Sequence, residues 1–167
     1  MIRAAVFAAS AALILFTSIT VTAQKPGAGP TCMTLLTADE LSKAVVAGFK
    51  DMGGRERSPG ETECPWMLRG GADGFKTVSV QFYDLQNIKA SNTTSDKLFD
   101  DLLSGTEGVS GGKKREMLAG IGQKAAFLAA DPQVLAVVQR ADGIARIVGN
   151  NLTKAQITAV AKAVATP

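Results

Sequence analysis

Ser110-Gly111-Gly112-Lys113 sets a hydroxyl and an amine three residues apart. At that spacing on a buried helix start, a lysine can deprotonate a serine nucleophile. Here two glycines separate the pair and Lys114 and Arg115 follow directly, so the segment reads as a cationic loop in which the lysine keeps its charge. No histidine occurs in the 167 residues, which removes the side chain most used as a base near neutral pH and as a metal ligand. Ser-His-Asp triads, Cys-His dyads and histidine-based zinc sites are therefore excluded within this chain. Carboxylates are the remaining acid–base candidates. Asp39 and Glu40 are neighbours, but adjacent helical residues point in different directions, and both favour the positive end of a helix dipole. Asp96, Asp100 and Asp101 have no further ligand beside them to complete a metal site. Gly120-Ile121-Gly122 leads into an apolar, strand-like run, not the helix that a phosphate-cradling loop requires. The expectation is a chain with no catalytic constellation, no cofactor and no metal.

Surface contacts are the other candidates. Lys113, Lys114 and Arg115 present three charges to an anionic partner, although three charges on a loop tip are also what solvation alone produces. Trp66 alternates in phase with Cys64 and belongs to the core. Arg69 and Tyr83 fall on the opposite strand faces and are better placed for a contact. The formal charge of +3 is too small and too dispersed for a nucleic-acid interface, which needs a concentrated basic face.

Residues 1–23 carry Arg3, then an almost uncharged apolar run, then Val21-Thr22-Ala23. This is the pattern of a secretory signal cleaved after Ala23. A retained membrane anchor is the alternative, disfavoured by the many Ala and Thr residues and by the lack of a basic flank. No Leu-x-x-Cys lipobox precedes Cys32, so no stable membrane anchor is expected after cleavage. The chain is expected in the periplasm or secreted. Residues 24–31 form a Pro/Gly linker, and residues 32–167 are expected to form a single domain.

Cys32 and Cys64 are the only thiols, and an oxidising compartment would pair them. The bond closes a loop of about 33 residues, worth roughly 3.5–4 kcal/mol in the chain-entropy account.

The elements that must position these groups follow from local patterning. Leu36-Thr37-Ala38-Asp39-Glu40-Leu41 is a capping box with its hydrophobic staple, and Leu41, Val45, Gly48, Phe49 and Met52 continue at helical spacing up to Gly53-Gly54. Residues 55–63 read as a surface loop. Residues 64–69 and 76–85 alternate about a glycine turn, giving a β-hairpin. A second helix follows over 91–104, then a glycine-rich stretch over 106–122. Residues 125–130, 134–140 and 144–148 are strands, the last two apolar on both faces as central strands under helices would be. Thr153-Lys154-Ala155-Gln156 opens a final helix with a second capping box. The order α-β-β-α-β-β-β-α predicts the α+β class: an antiparallel sheet of about five strands in two hairpins, with helices packed on it.

The run Cys32-Met-Thr-Leu-Leu-Thr-Ala-Asp-Glu-Leu41, with Cys64-Pro65-Trp66 and Gly120-Ile-Gly-Gln-Lys-Ala-Ala-Phe127, resembles a family of small exported bacterial proteins and lipoproteins of unknown function. There a Cys-x-x-Leu-Thr-x-x-Glu helix start is joined to a cysteine at a strand, and a Gly-x-Gly-x-x-Ala segment comes later. The resemblance implies a disulfide-stapled α+β exported domain and carries no catalytic residues. The expected function is a non-catalytic binding or accessory domain for an unknown protein or small ligand. The alternatives are an inhibitor that inserts the 106–122 loop into a secreted enzyme, or a small histidine-free hydrolase.

Overall fold

The computed structural model describes residues 31–70 and 74–166. The signal expected over 1–23, the linker up to residue 30 and the centre of the 70–74 turn lie outside the described residues. Both capping boxes form. The Thr37 hydroxyl accepts from the Glu40 amide at 3.2 Å while the Thr37 amide donates to Glu40 Oε2 at 2.8 Å, opening α2 (Ala38–Ala44) just after the short α1 (Cys32–Leu35). Thr153 and Gln156 repeat the exchange at α5 (Lys154–Ala165).

Between them lies one antiparallel sheet of eight strands, in the α+β class. The five long strands are β3 (Glu61–Leu68), β4 (Lys76–Asp84), β6 (Lys124–Ala130), β7 (Gln133–Arg140) and β8 (Gly143–Asn150). They lie in the order β3-β4-β8-β7-β6 and coincide closely with the five expected. The count of five is corrected by three short strands at the edges: β1 (Lys50–Asp51) and β2 (Arg55–Ser58) on β3, and β5 (Glu116–Met117) on β6. Two further helices, α3 (Leu85–Ala90) and α4 (Ser95–Val109), follow β4. The element order is thus α-α-β-β-β-β-α-α-β-β-β-β-α.

The differences have local causes. The apolar stripe through Phe49 and Met52 predicts a longer first helix, but α2 stops at Ala44, where the β-branched pair Val45-Val46 weakens helix propensity. Gly48 then takes φ +103°, and the turn buries Phe49 while Lys50 and Asp51 pair with Met67 and Trp66. Residues 55–58 form a strand and not a loop. They are charged, as edge strands tend to be, and so show no apolar alternation. The helix expected to end at Ser104-Gly105 continues to Val109.

Strand alternation divides the sheet into two faces. On the first, Trp66, Val80, Phe82, Ile147 and Val138 pack under α1, α2 and α5, with Leu41, Ile157, Val160 and Val164 fully buried against them. On the second, Leu128, Leu135, Val137 and Ile144 pack against Ile88 of α3 and Phe99 and Leu103 of α4. α4 reaches over β6, β7 and β8. Over β3 and β4 that face shows Glu63, Pro65, Met67, Thr77, Ser79 and Gln81, all partly exposed.

The Cys32–Cys64 disulfide is present, with a Cα–Cα separation of 5.4 Å. It fastens α1 to the centre of β3. A second fastening sits at the other end of the same layer. The Arg140 side chain, only 6% exposed, makes a two-pronged pair with Asp142 at 2.8 and 2.9 Å, donates to the Val164 carbonyl at the end of α5, and lies 5.4 Å from the Phe82 ring. It satisfies a helix terminus and the β7–β8 turn together. Arg140→Ala is expected to lower unfolding free energy by about 2 kcal/mol, since the Val164 carbonyl loses its donor while the half-exposed Asp142 rehydrates. Urea unfolding checks this, and a change below about 0.5 kcal/mol would show that the clamp contributes nothing beyond an ordinary surface pair.

Candidate functional site

Arg55, Glu63, Gln81 and Arg146 stand side by side across four strands on the second face of the sheet. Two hydrogen bonds tie the row: Arg55 Nε donates to Glu63 Oε2 at 2.8 Å, and Arg146 Nη1 donates to Gln81 Oε1 at 2.8 Å. Two residues along each strand, Glu61 stands opposite Tyr83 and Tyr83 opposite Ile144. The row stops where α4 begins to cover the sheet, so the helix edge and the polar sheet face enclose a shallow groove of about 360 Å³. Its floor is Gln81, Tyr83 and Arg146, and its wall is Asp101, Leu102, Gly105 and Thr106 of α4.

The groups in it differ in how they are satisfied. Asp101 is paired with Lys97 at 2.7 Å, and the Thr106 hydroxyl donates to the Leu102 carbonyl of its own helix at 3.2 Å. Half-buried Arg146 has no carboxylate within ion-pair distance, and the Tyr83 hydroxyl has no hydrogen-bond partner, both among the described residues. Burial pushes the Tyr83 hydroxyl above its ordinary value and the Glu61 carboxylate adds to this, while Arg146 and Arg57 pull against it. A guanidinium and a neutral phenol thus face one open space and can donate to a carbonyl or an anion.

The residues singled out from sequence fall in three places. Tyr83 lines this groove. Arg69 lines another opening of about 340 Å³ at the sheet edge with Gly48, Lys50, Met52 and Met67, where its Nε donates to the Met67 sulfur at 3.2 Å. The Lys113-Lys114-Arg115 triplet is split. Lys113 and Lys114 are exposed, but the Arg115 side chain is turned inward, donating to Glu107 through Nε (2.9 Å) and Nη2 (3.1 Å), to Asp100 (2.7 Å) and to the Ser104 hydroxyl (3.0 Å). Its amide also donates to Glu107. Arg115 therefore staples the end of the loop to α4. The Ser110 hydroxyl donates to the Glu107 carbonyl, and its contact with Lys113 is to the backbone oxygen, not the amine. Cys32 and Cys64 are joined to each other.

Sequence reading missed Arg146, Gln81 and the α4 wall. One signal was available: Ile144-Ala145-Arg146-Ile147-Val148 puts a lone cation inside an apolar strand. Its neighbours were not readable, because Gln81 lies 65 positions away. No cluster of three or more metal-ligating side chains occurs among the described residues, and no helix among them is long and apolar enough to cross a membrane. No protein-family model, curated protein or solved structure matches the chain.

Tyr83 is the sole tyrosine, so absorbance of its phenolate reads this groove directly. Its titration midpoint is expected above 10.0, with Glu61→Gln lowering it and Arg146→Gln raising it further. A midpoint at or below the ordinary value would contradict the burial described. At the loop staple, the Arg115 side chain and then its amide hold the Glu107 carboxyl below its ordinary 4.5. A depressed folded-state value means that the stabilisation is complete above the unfolded-state value and is lost as pH falls through the lower one. The Arg115 amide resonance should therefore hold its position down to the ordinary glutamate range and move only below it, and Glu107→Gln should remove the step.

Proposed function

We propose that the chain is a small exported binding or accessory domain and that the groove between α4 and the polar half of the sheet is where it takes its ligand. The observation that carries this reading is Arg146. It sits on a strand hydrogen-bonded on both sides, and among the described residues its half-buried guanidinium has only a neutral partner and the phenol beside it has none. Burying a cation without a carboxylate costs stability, and a fold keeps such a group where something else completes it. Export is supported by the signal pattern of residues 1–23, by the disulfide, and by the resemblance to small exported bacterial proteins and lipoproteins. The inhibitor reading is less favoured, since α4 occupies the start of the 106–122 stretch and Arg115 and β5 fix its later part. The hydrolase reading has no support from Ser110, whose hydroxyl is turned to backbone oxygens.

The test uses the full chain produced in an exporting bacterium. Intact mass of the protein from periplasm or medium is expected to begin at Gln24 with the disulfide formed. With the photo-crosslinker p-benzoylphenylalanine at Asp101 on the exposed groove wall, mass spectrometry is expected to show a discrete adduct that is absent when the same group replaces Lys162 on α5. A full-length chain held in the cytoplasm would sink export, and equal labelling at both positions would sink the groove.

A further inference from the structure

We infer that the groove recognises a carboxylate group on a ligand with an apolar body, with Arg146 as the principal contact and the Tyr83 hydroxyl as the second donor; this rests on the groove being the ligand site. Three arginines are partly or fully buried among the described residues. Arg115 has Asp100 and Glu107, and Arg140 has Asp142. Only Arg146 is left with an amide oxygen, which uses one of its five N–H donors. Its planar fork matches a carboxylate, and its backbone is fixed in a central strand, so little order has to be imposed on binding.

The surroundings select among anions. The groove lies along the middle of α4, beside residues 101–106, away from the charge of either helix end. Asp101 is paired with Lys97 and brings the wall no net charge, and no lysine lines the groove. A dianionic phosphate would meet one cation and keep a second charge uncompensated. A singly charged carboxylate needs only the one cation, and the phenol can donate to its second oxygen. Beside the charge, Leu102 gives an apolar surface, and Gly105 leaves it clear: a Cβ built on Gly105 meets no atom within 4 Å. The groove's width therefore depends on a residue without a side chain in the middle of a helix, where glycine is otherwise unfavourable.

The probes are 3-phenylpropionate, its uncharged amide, inorganic phosphate, and a capped dipeptide ending in phenylalanine with a free or amidated C-terminus. Binding to the disulfide-intact protein is followed by amide and side-chain NMR. The expected result is saturable shifts of Gly105, Tyr83 and Arg146 by 3-phenylpropionate, binding weakened by more than about ten-fold for the amide and for Arg146→Gln, as loss of a charge-assisted pair implies, and no saturable response to phosphate. Gly105→Leu, which favours the helix and fills the groove, is expected to abolish the shifts without lowering the melting temperature. The dipeptide arms tell a free acid from a chain terminus: a response only to the free C-terminus of the dipeptide makes the source a peptide end. Equal binding of acid and amide, no saturable response to any carboxylate, or shifts that persist in Gly105→Leu would each overturn the assignment. If the crosslinker at Asp101 still captures a ligand under those outcomes, the groove stands and only the ligand class is wrong. If it does not, both readings fall together.

Discussion

The pairing of β4 with β8 is the contact on which the rest of the molecule depends. The two strands run side by side from Thr77 opposite Asn150 to Asp84 opposite Gly143. On either side the architecture is local: β3 and β4 form one hairpin, and β6, β7 and β8 form a meander with tight connections. Joining them closes a segment that contains both α3 and α4, and Thr77 and Asn150, which hydrogen-bond through their side chains, are 73 positions apart. Such closure is the slow and entropically expensive part of building a sheet. Register here has little latitude, because a shift by one residue would exchange the two faces of every strand beyond the joint. Glycine secures the approach: a Cβ on Gly143 would lie 2.2 Å from the Tyr83 carbonyl, so only glycine lets the end of β8 close on β4.

That joint also explains why the two faces are covered differently. On the first face, apolar residues continue across β3, β4, β8, β7 and β6 without a break, and α2 and α5 bury them together. On the second, β6 and β7 are apolar while β3 and β4 carry Glu63, Thr77, Ser79 and Gln81. A helix over those residues would strand their polar groups, so α4 stops at β8. The groove is the step between a strand set written to be buried twice and one written to be buried once. β8 is the transition, with Ile144 under the helix and Arg146 just clear of it.

What could be read in the sequence was whatever is specified within a few residues or by a unique partner. Thr37 with Glu40 and Thr153 with Gln156 declare their helices through contacts three residues apart. β3 and β4 alternate, β6 to β8 stand out as short apolar runs between turns, and two cysteines in one chain have one pairing. β1, β2 and β5 were silent because they are only two to four residues long and, apart from Met117, polar, held by pairing to an edge and not by an apolar pattern. The end of α4 was misread because Gly105 and Gly108 look like a stop, while the interactions that hold the last turn come from Arg115, eight residues beyond Glu107. The same long reach hid the role of Arg115, which as a sequence is one cation in a triplet. Tyr83 was found because strand alternation alone places it on the polar face. Arg146 was not, because its meaning depends on Gln81 beside it and on α4 above it, and both arrive only through the β4–β8 joint.

The state of the charged groups then separates framework from site. Arg140 and Arg115 are each completed by carboxylates and by a backbone or hydroxyl group, and each ties a loop or turn to a helix. Arg146 is held as firmly by its backbone, yet no carboxylate among the described residues completes its side chain. The missing histidine extends the contrast. With no imidazole to titrate, and with the Tyr83 hydroxyl pushed upward by burial, the phenol on the groove floor stays a neutral donor through the neutral range. Among the described residues, the buried and half-buried arginines completed by carboxylates thus belong to the framework, and the groove floor is left with donors.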